Sequence, residues 1–421
     1  LKIEYSFQGS GRIRVSCESS PENVRFTIIL EQADKKRNPR FSEIREFEFK
    51  SSTESSGFGT IHPDRLALVA ILNTLPFCEE RLHIGWPISE EFIEATKVIS
   101  RISITSEEGH IQPIKRDQSG RHALSFSGGA DSMAALGVMP QTTESVFMLR
   151  KKGQTRSLYD SHAALESCRQ LRNLGFTVHI VESDFEYLRN PIGFPTDLSV
   201  ASPAILLADE RNFCSIAFGT ILESAYGTSG ERFRDYVDSS HYRLWKPLFE
   251  SVGLGYSLPV AGVSEVGSAK MCLELPVGRF HQSCIRGKWG WPCNKCWKCF
   301  RKNILISALE GDEIPEHSIL SVKRSKEIRK HLLENKPIKH EGVLAYSLER
   351  ASGGGETFNK LRKLVRVGSI NTDWMENWYP KSICLIDSGY SEYTSKKLRE
   401  TLGEMTERQT SDLCGWSNQS D

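Results

Sequence analysis

The chain has 421 residues, 39% hydrophobic and 25% charged, with 32 glycines and 17 prolines. This ordinary globular composition excludes a fully disordered, collagen-like or coiled-coil chain, and the length predicts two or three packed units rather than one small core. Lysine and arginine (54) nearly cancel aspartate and glutamate (53), a net charge of +1 that argues against a surface given over wholly to nucleic acid while leaving room for a local basic patch.

Residues 1–120 open with strand-like runs at 2–7, 12–17, 24–30 and 45–50, followed by helical patterns at 64–75 and 90–101. They predict a β-rich α+β accessory domain for binding or scaffolding. Residues 121–315 change texture. A short apolar strand at 123–126 runs into Ser127-Gly128-Gly129. A helix at 131–139, a strand at 145–149, a helix at about 158–174, a strand at 177–181, a helix at 203–211 and a strand at 215–218 follow. Strands alternating with helices predict an α/β core with a parallel sheet covered on both faces, which takes ligands at the carboxyl ends of its strands. From 316 to 421 the pattern is helical and basic. Lys323, Arg324, Lys326, Arg329, Lys330, Lys336 and Lys339 form one group, and Lys360, Arg362, Lys363 and Arg366 a second. Such runs read first as solvated helix faces, with RNA contact the alternative. Gly353-Gly354-Gly355 predicts a hinge or loop, and 408–421 a polar, frayed end.

No window reaches the roughly 18 consecutive apolar residues of a spanning helix, and the first residues lack a signal-peptide pattern. Eleven cysteines are too sparse for a secreted disulfide scaffold. Four of them fall within sixteen residues, which points to reduced thiols, a metal site and a cytoplasmic location.

The first informative motif is Ser127-Gly128-Gly129-Ala130-Asp131-Ser132, between a strand and a helix. Two glycines let backbone amides approach an anion closely, the serines add hydroxyls, and the helix start favours phosphate. Asp131 is suited to cap that helix or to orient a metal that bridges phosphates. No lysine follows the glycines, so this is not the Gly-Lys-Ser/Thr loop of other nucleotide-binding enzymes. The segment resembles the PP-loop of the ATP pyrophosphatases, whose SGGxDS motif it matches in full. That family cleaves ATP between the α and β phosphates and transfers AMP to a substrate oxygen. The resemblance implies bound ATP and Mg²⁺, with Ser125, Ser127, Gly128, Gly129, Ala130, Asp131, Ser132 and Gly219 around the nucleotide. It assigns catalytic work to Asp131 and Ser132, and to Lys270 as a substitute phosphate-side lysine.

The second motif is Cys284, eight residues, then Cys293-x-x-Cys296-x-x-Cys299. Four thiolates at about 2.3 Å close a tetrahedral zinc shell with no open position, a structural site. An iron–sulfur cluster uses similar spacing. With the upstream loop, this segment resembles the zinc module of the 7-cyano-7-deazaguanine synthases, nitrile-forming ligases of the queuosine pathway. Gly153-Gln154 and Ala217-Phe218-Gly219-Thr220 add local matches, and the resemblance spans roughly 121–305. Departures are visible. Glu223-Ser224-Ala225-Tyr226-Gly227 stands in place of the family's aspartate-containing substrate loop. Val263-Ser264-Glu265 replaces a Leu-Thr-Lys motif.

The resemblance implies an AMP-forming ligase that adenylates a carboxylate, 7-carboxy-7-deazaguanine foremost, for attack by ammonia or an amine to give an amide or nitrile. Divergent relatives in anti-phage defence clusters carry extra domains and extend the expectation to a deazaguanine joined to an acceptor protein. A homodimer is also expected. The rivals are a tRNA sulfurtransferase of the same superfamily and a non-catalytic nucleotide-sensing module. Lys151 and Lys152 read as a solvated pair, and Trp289, Trp291 and Trp297 as packing around the thiols. Arg301 and Lys302 suit phosphate contact and screening of thiolate charge equally well.

Overall fold

A computed structural model describes residues 10–30, 40–52, 57–151, 159–230, 232–334 and 338–417. The strand expected at 2–7, together with Lys152, Gly153, Gln154 and Lys336, lies outside the described residues.

The described residues form one mixed α/β sheet of ten strands. In chain order these are β1 (Ser10–Ser19), β2 (Asn23–Leu30), β3 (Glu46–Ser51), β4 (Cys78–Ile84), β5 (Ser103–Ser106), β6 (Arg121–Phe126), β7 (Glu144–Arg150), β8 (Val178–Ser183), β9 (Phe213–Phe218) and β10 (Gly255–Ser257). Their spatial order is β10-β9-β6-β7-β8-β3-β2-β1-β4-β5. Every pairing is parallel except β8–β3, β3–β2 and β2–β1. The half from β10 to β8 is wholly parallel. β9 is buried at all six positions, as a central strand covered on both faces requires. The chain leaves β6 in one direction through β7 and β8, then returns to lay β9 and β10 on the other side. The order therefore reverses between β6 and β9, the point where parallel sheets open a crevice for ligands.

The change of texture near residue 120 is not a break in the sheet. Phe49, Lys50 and Ser51 of β3 pair antiparallel with Ser183, Glu182 and Val181 of β8. In β1, Ile13 and Val15 are buried while Arg12 and Arg14 stay partly exposed, the alternation of a half-buried strand.

The helices are α1 (Pro63–Thr74), α2 (Glu90–Thr96), α3 (Ala130–Val138), α4 (Ser161–Asn173), α5 (Ser202–Leu206), α6 (Ala208–Arg211), α7 (Leu222–Ala225), α8 (Ser240–Glu250), α9 (Glu265–Glu274), α10 (Trp297–Glu310), α11 (Glu316–Arg324), α12 (Lys326–Arg329), α13 (Glu341–Arg350), α14 (Gly355–Leu364), α15 (Ser391–Leu402) and α16 (Glu407–Cys414). Two expected helices differ. The one predicted at 90–101 closes at Thr96, because Ile99 and Ile102 turn into the core and Ser103–Ser106 is drawn into a ladder with β4. The one predicted at 203–211 is divided at Leu207 into α5 and α6.

Beyond residue 315 the described residues hold no strand of the sheet. Gly353, Gly354 and Gly355 all take left-handed backbone angles (φ +77°, +83° and +57°), a turn that side chains would oppose. The later helices pack back on the core. Thr394 of α15 donates its hydroxyl to the Val138 carbonyl of α3 at 2.9 Å, and the Tyr390 hydroxyl donates to Ser257 of β10 at 2.7 Å.

Candidate functional site

β6 ends at Phe126, and four residues later α3 begins, with Gly129 as its N-cap and no side-chain capping bond. Gly128 turns the chain with φ +74°. The loop lies at the head of α3, where the strand order reverses. Its hydroxyls hold each other: Ser127 Oγ and Ser132 Oγ are 3.0 Å apart, Ser132 also donates to the Gly129 carbonyl at 3.0 Å, and the Gly129 amide donates to Ser127 Oγ at 3.3 Å. Gly219 follows β9 and abuts the same turn. A methyl group there would lie 2.7 Å from the Ser132 nitrogen and 2.9 Å from the Asp131 carbonyl carbon. Ser127, Gly128, Gly129, Ala130, Asp131, Ser132 and Gly219 therefore converge. Ser125 sits one residue inside β6, and its hydroxyl donates to the Val200 carbonyl at 3.0 Å.

Behind the loop is a buried cluster of charge. Asp131 Oδ1 accepts from Ser268 Oγ at 2.9 Å and lies 3.9 Å from Lys302 Nζ. Lys302 Nζ is also 3.6 Å from Glu265 Oε1. Glu265 accepts from Arg301 at 2.9 and 3.1 Å, and His340 Nδ1 lies 3.1 Å from its other oxygen. The Glu265 amide, at the start of α9, donates to both oxygens of Glu223 at 2.9 Å. The two carboxyls are driven apart. Burial pushes the Glu223 carboxyl up, and the charge of Glu265 adds to this, to about 8. Burial also raises Glu265, but Arg301, Lys302 and His340 outweigh it and hold that carboxyl well below the usual range. Burial pulls Lys302 down, and Asp131 and Glu265 more than restore it. The cluster thus carries ionised Glu265 and Lys302 beside a Glu223 that takes up a proton far more readily than a surface carboxyl.

Lys270 has no hydrogen bond or ion pair to the loop among the described residues. Its Nζ is 3.7 Å from Glu376. Glu265 and Ser268, one helical turn apart on α9, are the residues that face the cluster. Lys270, two residues beyond Ser268, falls roughly 200° further round the helix. The ammonium beside Asp131 belongs to Lys302 instead.

The four cysteines meet as expected. Cys296 is the N-cap of α10 and accepts from the Cys299 amide at 3.4 Å, while Cys284 accepts from the Cys293 amide at 3.4 Å. All four Sγ atoms lie within 4.8 Å of one another. Cys293 and Cys299 are 3.7 Å apart, too far for a disulfide and close to the ~3.8 Å edge of a sulfur tetrahedron with bonds of about 2.3 Å. The donor set and its burial fit a metal ion, zinc included. The helix start and the two amides favour thiolates.

A cavity of about 340 Å³ lies beside the cysteines, lined among others by Gln282, Ser283, Lys302, Cys284 and Cys299. Its wall is tied to the loop: the Gln282 amide donates to the Gly128 carbonyl at 2.6 Å, and Ser283 Oγ accepts from the Ala130 amide at 3.3 Å.

Other expected residues have other roles. Lys151 is not merely solvated, since it pairs with Glu48 at 2.8 Å. Trp297 packs, stacked on His331 with ring centroids 4.9 Å apart. Trp289 lines the cavity, and Trp291 does not pack the thiols, being 79% exposed. Arg362 and Arg366 of the second basic group are bonded to Leu348, Ala351 and Glu341. Among the described residues no helix is long and apolar enough to cross a membrane.

The charge cluster was the part that sequence reading missed. Glu265 was visible only as a replacement for an expected lysine, and nothing local marks His340 as its partner.

Residues 244–417 match the model of a family of unknown function (DUF6395), less than half of the chain. No curated protein and no solved structure matches the chain. The matched span takes in Glu265, the four cysteines, Lys302 and His340 and excludes the loop at 127–132.

Proposed function

We propose that this chain is an ATP-dependent, AMP-forming ligase of the PP-loop type. It adenylates a carboxylate, 7-carboxy-7-deazaguanine in the first instance, for attack by ammonia or an amine. One observation carries the reading: a Gly-Gly turn matching SGGxDS opens a helix at the reversal of a parallel sheet, with Gly219 leaving its backbone a close approach.

In this reading the loop amides and the start of α3 hold the β and γ phosphates. A carboxylate oxygen of the substrate attacks the α phosphorus. A P–O bond forms, the bond to the bridging α–β oxygen breaks, and pyrophosphate leaves with that electron pair. The nitrogen nucleophile then adds to the acyl carbon and AMP departs, giving an amide. Where the nucleophile is ammonia, a second ATP adenylates the oxygen of the primary amide with loss of pyrophosphate, and departure of AMP together with loss of the two N–H protons to solvent gives the nitrile. No side chain need act as a nucleophile, because positioning and charge stabilisation supply the rate. Asp131, part-exposed at the head of α3, is the residue to hold Mg²⁺, which neutralises phosphate charge. The cysteines hold zinc as a brace that fixes α10 and hence Lys302.

The parts of the chain outside 121–315 suit the defence-associated branch, in which an amine of an acceptor protein replaces ammonia. The test is release of pyrophosphate and AMP from ATP with 7-carboxy-7-deazaguanine, using wild type and Asp131→Ala. The reading expects release that requires the carboxylate, and loss of about 100-fold or more in a variant that still folds. Unchanged turnover in Asp131→Ala, or no AMP with any carboxylate and any amine, refutes it. A brown protein with visible absorption would favour sulfur transfer instead.

A further inference from the structure

The region around the cysteines is one-sided in charge. From Leu275 to Leu309 the chain has seven lysines and arginines and no aspartate or glutamate, although the whole chain carries only +1. Three of the seven are engaged: Arg301 with Glu265, Lys302 with Glu265 and Asp131, and Arg286 with Glu327. Screening of the thiolates does not absorb the rest. A divalent ion leaves two negative charges on four thiolates, whereas Arg279, Lys288, Lys295 and Lys298 remain, all exposed. None of these four closes an ion pair among the described residues.

The first basic group of the C-terminal region lies against the same module. Ser325, between α11 and α12, donates its hydroxyl to the Lys295 carbonyl at 2.9 Å. Glu327 accepts from the Trp297 amide at 3.1 Å on one oxygen and from Arg286 at 2.8 Å on the other. It is the only carboxylate between 317 and 333, and these two bonds occupy it. Lys323, Arg324, Lys326 and Lys330 around it are exposed and close no ion pair among the described residues. Two groups of like charge are thus held together by the fold, at a cost in repulsion that a bound polyanion removes.

An aromatic side chain stands out from this surface. Lys288 to Trp291 form a tight turn, in which the Trp291 amide donates to the Lys288 carbonyl at 2.9 Å and Gly290 takes φ +70°. The turn is closely packed at its base, where a methyl group on Gly287 would lie 2.5 Å from the Trp291 carbonyl oxygen. The Trp291 side chain is nonetheless 79% exposed, the most of any large hydrophobic side chain among the described residues. A ring held out on a fixed turn beside unpaired cations suits a single strand, whose bases stack on the ring while its phosphates meet the cations. A base paired inside a duplex has no free face for it. An acidic peptide would satisfy the lysines and leave the ring in water. A membrane surface is held by a helix with a broad apolar face, which one ring on a turn does not provide.

We infer that the cysteine module and the α11–α12 segment form a binding surface for single-stranded nucleic acid, in which Trp291 stacks on an unpaired base and Lys288, Lys295, Lys323, Arg324, Lys326 and Lys330 take the phosphates. The inference does not rest on the proposed ligase chemistry. RNA and DNA offer the same two recognised groups, and the test separates them.

The test is fluorescence anisotropy of the full-length, metal-loaded chain with labelled oligouridylate and oligothymidylate of about 20 nucleotides, a length that exceeds one binding site. A duplex of equal length, polyglutamate and anionic phosphatidylserine vesicles are run in parallel, and each titration is repeated across a salt series. At least one single strand is expected to bind with a dissociation constant on the order of micromolar, and the duplex more weakly. Trp291→Ala should weaken the strand by about 5- to 100-fold and leave the salt slope unchanged, with Trp291→Phe recovering part of the loss. Lys288→Gln, Lys295→Gln and Lys326→Gln should each weaken it by about two- to fivefold and reduce the salt slope by about 0.7. Lys397→Gln, which removes the same charge from a residue of α15 paired with Glu400, should change neither. All these positions except that of Lys397 are exposed turn or helix-end residues with no side-chain bond to the core, and unchanged metal content and melting confirm that the variants fold. Binding of one strand type, or of both, supports the inference and says which sugar is accepted. Absence of binding to both strands, duplex binding as tight as single-strand binding, an affinity indifferent to Trp291→Ala, or an equal loss in Lys397→Gln overturns it. So does tighter binding of polyglutamate or of the vesicles than of either strand.

Discussion

Gly219→Ala tests whether the end of β9 and the glycine loop form one ligand cradle. The added methyl group would sit 2.7 Å from the Ser132 nitrogen, 2.8 Å from its Cα and 2.9 Å from the Asp131 carbonyl carbon, whereas ordinary contact begins at 3.4 Å. All three atoms are backbone, so no side-chain rotation relieves the clash. Either β9 or the first turn of α3 must retreat by several tenths of an ångström. Overpacking of this kind costs about 1–3 kcal/mol, and in a chain this long the melting midpoint should fall by only a few degrees. The functional cost should be larger, because misplacing a reacting group by about 1 Å can lower the rate by about 100-fold. Gly175→Ala is the control. Its backbone is left-handed at φ +86°, but no atom lies within 4 Å of the new methyl, so it strains the fold without moving the loop. The assays are pyrophosphate release and scanning calorimetry on both variants. Turnover in Gly219→Ala within a few-fold of wild type, or an equal loss in Gly175→Ala, would refute the assignment.

Glu265→Gln leaves Arg301, Lys302 and His340 facing a neutral group. Stability should fall by about 3–5 kcal/mol, read as a shift in the urea midpoint, since removing one member of a buried ionic cluster strands the others. Glu223→Gln acts through pH. The carboxyl titrates near 8 in the folded chain against 4.5 when free, so between those values the native state keeps a proton that the unfolded state has lost. Its contribution therefore declines as pH rises from about 4.5 to about 8 and is level above that. The groups facing it are Glu265 and Asp131, with Arg301, Lys302 and His340 beyond Glu265. Relative to wild type, Glu223→Gln should gain stability across that window, and parallel urea-midpoint profiles would contradict this. Cys296→Ser should lose bound metal, measured by elemental analysis, and melt lower. A strong chelator should move wild type towards the variant and leave the variant unmoved.

The legible parts of this fold were those in which local pattern and tertiary role coincide. β6, β7 and β9 lie inside a parallel half-sheet, so they read as short apolar runs. The loop stood out because a strand, the full SGGxDS run and an apolar helix follow one another, a pattern far more specific than Gly-Gly alone, and the thiols because four cysteines so close have few other readings. β4 (CEERLHI) is polar at most of its positions, and β5 and β10 span only four and three residues, too short for periodicity. The joining of β3 to β8 is a pairing between residues 130 to 134 apart, which no local pattern encodes. Lys270 on α9 and Lys302 on α10 look alike in sequence, and which of them stands beside Asp131 is set by tertiary packing. His340 precedes α13 in a left-handed conformation (φ +62°), with no residue around it that marks a buried partner for a glutamate.

The same residues explain why the last hundred residues do more than decorate the core. Glu265 joins two regions of sequence. Its amide holds Glu223, which precedes the family-matched span, and its carboxylate gathers Arg301 and Lys302 from α10 and His340 from the head of α13, all within it. Ser264, the cap of the same helix, donates its hydroxyl to the Met375 carbonyl, so the start of α9 is gripped from the C-terminal side as well. A buried ionic cluster adds little net stability over an apolar one of the same volume, because desolvation offsets most of its attraction. What it does fix is geometry. Each charge has only a narrow set of positions in which its partners stay satisfied, so the ammonium of Lys302 stands beside Asp131 only when the sheet, the cysteine module and the C-terminal helices are all in place. The loop brings Asp131 and the family-matched span brings Lys302. Neither half contains the other's contribution, and Glu265 is where the two are held in register.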